Sequence, residues 1–197
     1  MANLLGKHFP GIGAGLPVAD LLRVPTPLTR HEITVDNASA DVWIKHDESS
    51  GSLYGGNKVR KLAYILAHAQ SRQAEAIATF GAVGSHHALA TALYARALGL
   101  DAICFLGHQS STTHVADALS AHVANGTRIV RYGGDRRQRI ATLRQTLAPR
   151  RTWVVPAGGS SWLGATGFID AALELAADFE AGDVRYPRRL YVANGTM

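Results

Sequence analysis

The segment Ala76-Ile77-Ala78-Thr79-Phe80, followed by Gly81-Ala82-Val83-Gly84 and then by a helix-forming run from His86 to about Ala97, reads as strand, loop and helix in immediate succession. The apolar run is too short for a buried helix, and the glycines that follow mark a break. Downstream the same alternation continues. Strands are expected over 102–106, 127–131 and 152–155, with helices over 113–123, 135–147 and 163–179, and a last strand over 190–193. Strands that alternate with helices predict an α/β fold, an open, mostly parallel sheet with helices on both faces. Upstream, Val59, Leu62, Ala63 and Leu66 recur at helical spacing, so a helix with one buried face is expected from Lys58 to about Ser71. Ahead of it, Ile33–Val35 and Val42–Ile44 alternate like two short strands joined at Asp36-Asn37. Pro25-Thr26-Pro27-Leu28 is a stiff extended entry, and residues 1–24 read as irregular, with glycines at 6, 11, 13 and 15.

The chain has 197 residues, 47% of them hydrophobic and 18% charged, enough for one sizeable core or two small lobes. No stretch is biased enough to be disordered. The single cysteine, Cys104, excludes an internal disulfide and lies in an apolar run, as a core residue would. A reducing, cytoplasmic setting follows from that usage. No early apolar core marks a signal peptide, and no apolar run reaches the length of a membrane span. The net charge is +5. Its arginines cluster near expected element ends without interleaved aromatics, which describes a solvated face better than a nucleic-acid surface.

In open parallel sheets, ligands bind beyond the carboxyl ends of the strands. Polar or glycine-rich loops at such ends are Ser50–Lys58, Gly81–His87, Gly158–Ser161 and Asn194–Met197. In Gly55-Gly56-Asn57-Lys58-Val59-Arg60-Lys61, the glycines allow a close backbone approach and Asn57 is a good helix N-cap. Lys58 then falls in the first turn, where the helix dipole and partial burial favour a neutral, nucleophilic amine able to form a Schiff base. A glycine loop before a helix with solvated lysines has the same pattern. Gly84-Ser85-His86-His87 offers free N–H groups, a hydroxyl and two imidazoles, a natural carboxylate site. It also fits a serine N-cap with solvent-facing histidines. Adjacent histidines at a helix start do not converge on one ion, and no partner has ligand spacing, so no metal is expected. Gly158-Gly159-Ser160-Ser161 could cap a helix or bind an anion, and Asn194-Gly195-Thr196 could begin a phosphate cradle. There is no G-x-G-x-x-G after a strand, no Walker loop and no G-x-S-x-G elbow.

Together, Gly55-Gly56-Asn57-Lys58-x-Arg60-Lys61, Ser85-His86-His87, Pro156-x-Gly158-Gly159-Ser160-Ser161 and Gly164-x-x-Gly167-Phe168 resemble the 1-aminocyclopropane-1-carboxylate deaminase and D-cysteine desulfhydrase family in order and spacing. The resemblance covers about residues 25–197. It implies a two-lobed, tryptophan-synthase β-like fold, with a small α/β domain over 51–155 and a partial large cofactor domain from 1–50 and 156–197. It also implies pyridoxal 5'-phosphate as cofactor, a small amino acid as substrate and a homodimer as assembly, with no part for nucleic acid or membrane.

By position, Lys58 resembles the lysine that holds the cofactor covalently, and Lys61 the lysine that contacts its phosphate. Asn57 and His86 fall among the cofactor-binding positions. Gly195 and Thr196 match the start of the phosphate loop. Ser85 resembles the serine that opens the substrate-carboxylate loop and takes part in proton transfer. His86, His87 and Ser160 fall at the remaining substrate positions. Where the family has Ser-Asn after a glutamine, this chain has Gly84-Ser85-His86, so His86 stands where an asparagine would meet the cofactor's ring oxygen. The family's chains also continue past residue 197, which implies a truncated product or a second piece that completes it. The implied reaction is elimination from a D-cysteine-like amino acid. The alternatives are deamination of the cyclopropane amino acid, or a non-catalytic remnant that binds cofactor or amino acid.

Overall fold

The computed structural model describes residues 4–13, 15–182, 184 and 186–192. Two short helices, α1 (Leu4–His8) and α2 (Pro10–Gly13), occupy a stretch that reads as irregular from its glycines. They are held from outside: the Leu5 N–H donates to Asp170 at 2.6 Å, and Leu5 itself is buried.

An antiparallel hairpin follows, β1 (Leu28–Val35) with β2 (Ala38–Lys45). Both strands are longer than the sequence alternation predicts. Val35 pairs with Ala38, so the turn is Asp36-Asn37, whose φ values of 49° and 63° are those of a type I′ hairpin. The register sets Ile33, Val35, Val42 and Ile44 on one face, and all four are exposed. The other face is largely polar. There Arg30 bonds Asp41 through two 2.9 Å contacts, and Thr34 meets Ser39 at 2.8 Å.

The α/β pattern then forms as read. Helix α3 (Asn57–Ser71) leads into β3 (Ala76–Ala82), α4 (His86–Ala97), β4 (Asp101–Gly107), α5 (Thr113–Ala124), β5 (Arg128–Arg131), α6 (Arg136–Leu147), β6 (Thr152–Val155) and α7 (Trp162–Glu180). The sheet is fully parallel in the order β5-β4-β3-β6. Alternation along β3 sends Ile77 and Thr79 to one face, packed with α3 and α4. Ala76, Ala78 and Phe80 go to the other, under Leu143 and Leu147 of α6. Helices thus cover both faces, as parallel strands require. Cys104 is buried among them, and burial pushes its thiol up to about 12. Over Leu190–Val192 no strand forms. Ala193, the end of the strand expected there, lies outside the described residues.

Helices α3 and α7 cross closely because α7 carries glycines at the contact. A Cβ placed on Gly167 would lie 2.2 Å from the Arg60 carbonyl oxygen, and one on Gly164 would lie 2.2 Å from that of Gly159. This explains the Gly164-x-x-Gly167 spacing as a requirement for backbone contact.

His122, in the last turn of α5, is 0% exposed, and neither ring nitrogen has a hydrogen-bond partner among the described residues. Burial lowers its pKa from 6.5, so below that pH the unfolded chain takes up a proton that the folded chain refuses. Stability is therefore lost as pH falls below about 6.5. We expect His122→Leu to raise stability at pH 7.5 by about 1–2 kcal/mol, since an apolar side chain leaves no orphaned polar atom. Urea midpoints at pH 7.5 and 5.5 check this; the gain should widen at the lower pH.

Candidate functional site

The site is assembled by the loops at the carboxyl ends of β3 and β6 and by the start of α3. The chain leaves β6 through Pro156 into a 3-10 turn, Ala157–Gly159, which touches α3, α4 and β3 together. Lys61 crosses from α3 to this turn. Its Nζ donates to the Gly158 carbonyl at 3.1 Å and lies 5.4 Å from the centre of the Phe168 ring. Gly159 sits against Ile65, the Lys61 stem and the His87 ring.

Lys58 is half-buried in the first turn of α3, as its spacing predicts. Its charge is felt by both neighbours. Burial and then the Lys58 charge lower the pKa of Lys61. Burial, then Lys58 and Lys61, hold the His87 imidazole down at about 4. His87 is therefore neutral near pH 7.

Asn57 does not cap α3. The N-cap is Gly56, at φ 97°, and among the described residues no side-chain bond closes that helix end. The left-handed backbone that a glycine adopts freely shifts the helix start by one residue and leaves Asn57 half-buried inside the first turn. Ser85 does cap its helix: its Oγ accepts from the Ala88 N–H at 3.3 Å, and its own N–H donates to Ala82 at 3.0 Å. At the third loop the capping oxygen is that of Ser161, bonded by the Gly164 N–H at 3.0 Å, while Ser160 is exposed in the loop.

The two histidines diverge. His87 is 5% exposed and turned inward, its Nε2 3.0 Å from the Thr79 hydroxyl. That hydroxyl donates to the Val155 carbonyl at 3.1 Å, so His87 Nε2–H is the donor between them, and among the described residues the buried Nδ1 has no hydrogen-bond partner, although the nearby Pro156 backbone works against the lowered pKa. His87 thus braces the loop from beneath, tying β3 and the end of β6 to α4. His86 is exposed. It bonds the Tyr54 hydroxyl through Nδ1 and lies 4.6 Å, ring to ring, from His114. Partial shielding of its ring from water, and then the His114 charge, lower its pKa.

Sequence reading missed three residues that shape this loop. Tyr54, just before the glycine pair, links the Lys58 loop to His86. Gln109 and His114 hold Gly84 from both sides. Gln109 accepts from the Gly84 N–H at 2.9 Å, and His114 Nε2–H donates to the Gly84 carbonyl at 2.8 Å. Both follow the carboxyl end of β4. The rule that selected the other loops also picks out this one, but it lacks the glycines that drew attention elsewhere. Gly195 and Thr196 lie outside the described residues. Among the described residues no group of three His, Cys, Asp or Glu could hold a metal ion, and no helix is long and apolar enough to cross a membrane.

The profile of the family described as "Pyridoxal-phosphate dependent enzyme" matches residues 19–196. The chain is 33% identical to a D-cysteine desulfhydrase of Salmonella paratyphi A over 177 residues, 83% of this chain and 52% of that one. It is also 33% identical to a D-cysteine desulfhydrase of Yersinia enterocolitica over 196 residues, 93% of this chain and 57% of the other. Among solved structures, an ACC deaminase homologue superposes with a TM-score of 0.70 at 27% identity, covering 94% of this chain and 55% of its own. A hydrogen sulfide-producing enzyme of Fusobacterium nucleatum, at TM-score 0.61 and 14% identity, shares the fold. The chain spans about half the length of the curated relatives it matches. Its helix-covered parallel sheet is that of the tryptophan-synthase β-like enzymes. It belongs to the pyridoxal-phosphate-dependent enzymes, among the relatives of D-cysteine desulfhydrase and 1-aminocyclopropane-1-carboxylate deaminase.

Proposed function

We propose that this chain carries the lysine-bearing part of a pyridoxal-phosphate-dependent lyase that acts on a small, D-cysteine-like amino acid. The observation that supports the reading is the 3-10 turn Ala157–Gly159, which touches α3 and α4 and lies against the Lys61 stem and the His87 ring. The residues present fit the cofactor. A half-buried amine and a second lysine, the latter of lowered pKa, stand at one helix start, beside glycine backbone and a buried imidazole nitrogen with no hydrogen-bond partner among the described residues. Lys58 would hold the cofactor through Nζ. Lys61 and the stretch 194–196 would meet its phosphate, and Asn57 and His86 its ring. When bound, the cofactor supplies an electron sink for charge developing at the substrate Cα.

The chain's own groups do the rest. Once the substrate amine has displaced it, the freed Lys58 Nζ takes the Cα proton as general base. The Ser85 hydroxyl and the free N–H groups at the start of α4 receive the substrate carboxylate, with His86, His87 and Ser160 completing the loop surface or supporting it. Loss of the Cα proton expels the β-thiol as sulfide. With one water the balance is pyruvate, ammonia and hydrogen sulfide from cysteine.

Likeness to the ACC deaminase homologue favours a second reading, ring opening of the cyclopropane amino acid, which needs a different base because that carbon bears no proton. A third reading is a non-catalytic chain that binds the cofactor or an amino acid without turnover. The two-domain division at residues 51 and 155, a homodimer and a cytoplasmic setting belong to the same proposal.

Borohydride reduction with pyridoxal phosphate, followed by peptide mapping, tests it. The pyridoxyl group is expected on Lys58 and should be absent from Lys58→Ala. An adduct on another lysine, or on none, would refute the assignment. Ammonia release from D-cysteine against the cyclopropane amino acid then separates the first two readings.

A further inference from the structure

Helix α7 carries Asp170, Glu174 and Asp178 at intervals of four, on one face. Between them they tie α7 to α1, α3, β2 and Thr26. Asp170 bonds Tyr64 of α3 and the Leu5 N–H, Glu174 meets Arg60, Lys45 and Thr26, and Asp178 meets Lys45 at 2.6 Å.

Arg60 is 1% exposed and Glu174 4%. Arg60 Nη1 donates to Glu174 at 2.9 Å, Nη2 to Asp47 at 2.7 Å and Nε to the same carboxylate at 3.1 Å. Nη2 also reaches the Thr26 hydroxyl at 3.1 Å. Asp47 holds a second point, because its carbonyl accepts the Gly56 N–H at 2.8 Å. Lys58 lies between these two gripped residues, two after Gly56 and two before Arg60. The Arg60 backbone is in turn pressed against Gly167.

We propose that Asp47, Arg60 and Glu174 form a clamp that positions Lys58 by fixing the first turn of α3 from both sides. Packing alone does not call for such a device. A buried ion cluster costs heavily in lost hydration, and apolar residues of the same volume often replace one without loss. What the cluster adds is direction: a bidentate guanidinium fixes angle as well as distance. Burial alone would raise the Glu174 pKa, but hydrogen bonds from Arg60, Lys45 and Thr26 outweigh it and hold the carboxyl at about 2, so Glu174 stays charged throughout the neutral range.

The inference rests on the reading of Lys58 given above, and the test separates the two. Glu174→Gln keeps the shape and removes the charge. Asp170→Asn makes the same change one turn earlier on α7, away from the Lys58 turn. Both full-length variants are studied at a temperature where circular dichroism shows them folded. Glu174→Gln should slow borohydride-trapped attachment of pyridoxal phosphate to Lys58 roughly tenfold or more, the scale of a small misplacement of a reacting group. It should also shift the visible band of the bound cofactor and speed amide hydrogen exchange over residues 56–61. Asp170→Asn should leave all three as in the parent. If Glu174→Gln does not fold, Arg60→Lys, which keeps the charge and loses the fork, should act in the same direction. Equal effects from Glu174→Gln and Asp170→Asn would make the cluster ordinary scaffolding and overturn the clamp. So would attachment and exchange in Glu174→Gln that match the parent. A parent chain that takes no pyridoxal phosphate at Lys58 removes the functional reading and the clamp with it.

Discussion

Arg60→Met is expected to lower stability by about 3–5 kcal/mol, the usual consequence of removing one partner from a buried charge cluster. For a chain of this length that is roughly 6–20 °C in melting temperature. The methionine fills much of the same volume, so the loss is electrostatic rather than a cavity. Glu174 and Asp47 are left in a site that has lost its shared cation, and among the described residues Lys45, 2.8 Å from Glu174, remains to offset the first of them.

The acid response should change as well. In the parent, Glu174 is ionised down to about 2, against an ordinary value of 4.5. A carboxyl whose folded pKa is depressed adds stability above the unfolded value and loses it as pH falls from 4.5 towards 2. That contribution is on the order of 3 kcal/mol. With Arg60 gone, the Glu174 pKa rises towards its unfolded value and the acid limb flattens. Urea denaturation of parent and variant at pH 7, 4.5 and 3 measures both effects. Curves displaced by a constant amount across that range would show that Glu174 owes its low pKa to something other than Arg60.

Gly167→Ala should cost about 3 kcal/mol, the upper part of the range for overpacked sites. The sign is informative, because glycine to alanine inside a helix ordinarily gains about 1 kcal/mol from propensity. Here the added methyl would sit 2.2 Å from the Arg60 carbonyl oxygen and 2.5 Å from its carbon. Those atoms are backbone and have no rotamer to escape into. The helices must part, and the displaced segment is the turn that carries Lys58. Thermal unfolding and cofactor trapping should therefore decline together. A variant at least as stable as the parent would show that α3 and α7 are free to separate.

The layered sheet was open to reading because buried parallel strands are unbroken apolar runs and because the helices announce their starts. Ser85, Thr112, Asp135 and Ser161 each cap a helix with a side-chain oxygen. The start of α3 misled by one residue, since a glycine at φ 97° can do an asparagine's work with backbone alone. The N-terminal helices stayed hidden because glycines suggest loops and tertiary contacts override them. Lys58, Ser85 and the Gly158-Gly159 turn were marked by local composition. Glu174 was not. On a helical wheel it reads as solvated, and its partners Arg60 and Thr26 lie 114 and 148 residues away in sequence. Periodicity tells which side of a helix is greasy; it does not tell which of its charges will be buried by a distant element.

The hairpin carries a consequence of its own. A lone two-stranded ribbon is marginal in water, and this one turns four branched aliphatic side chains towards it. The Arg30–Asp41 pair and Glu32 discourage sticking on the opposite side. The ribbon therefore adds one small oily facet to the surface of the isolated polypeptide, a place where another apolar surface can settle.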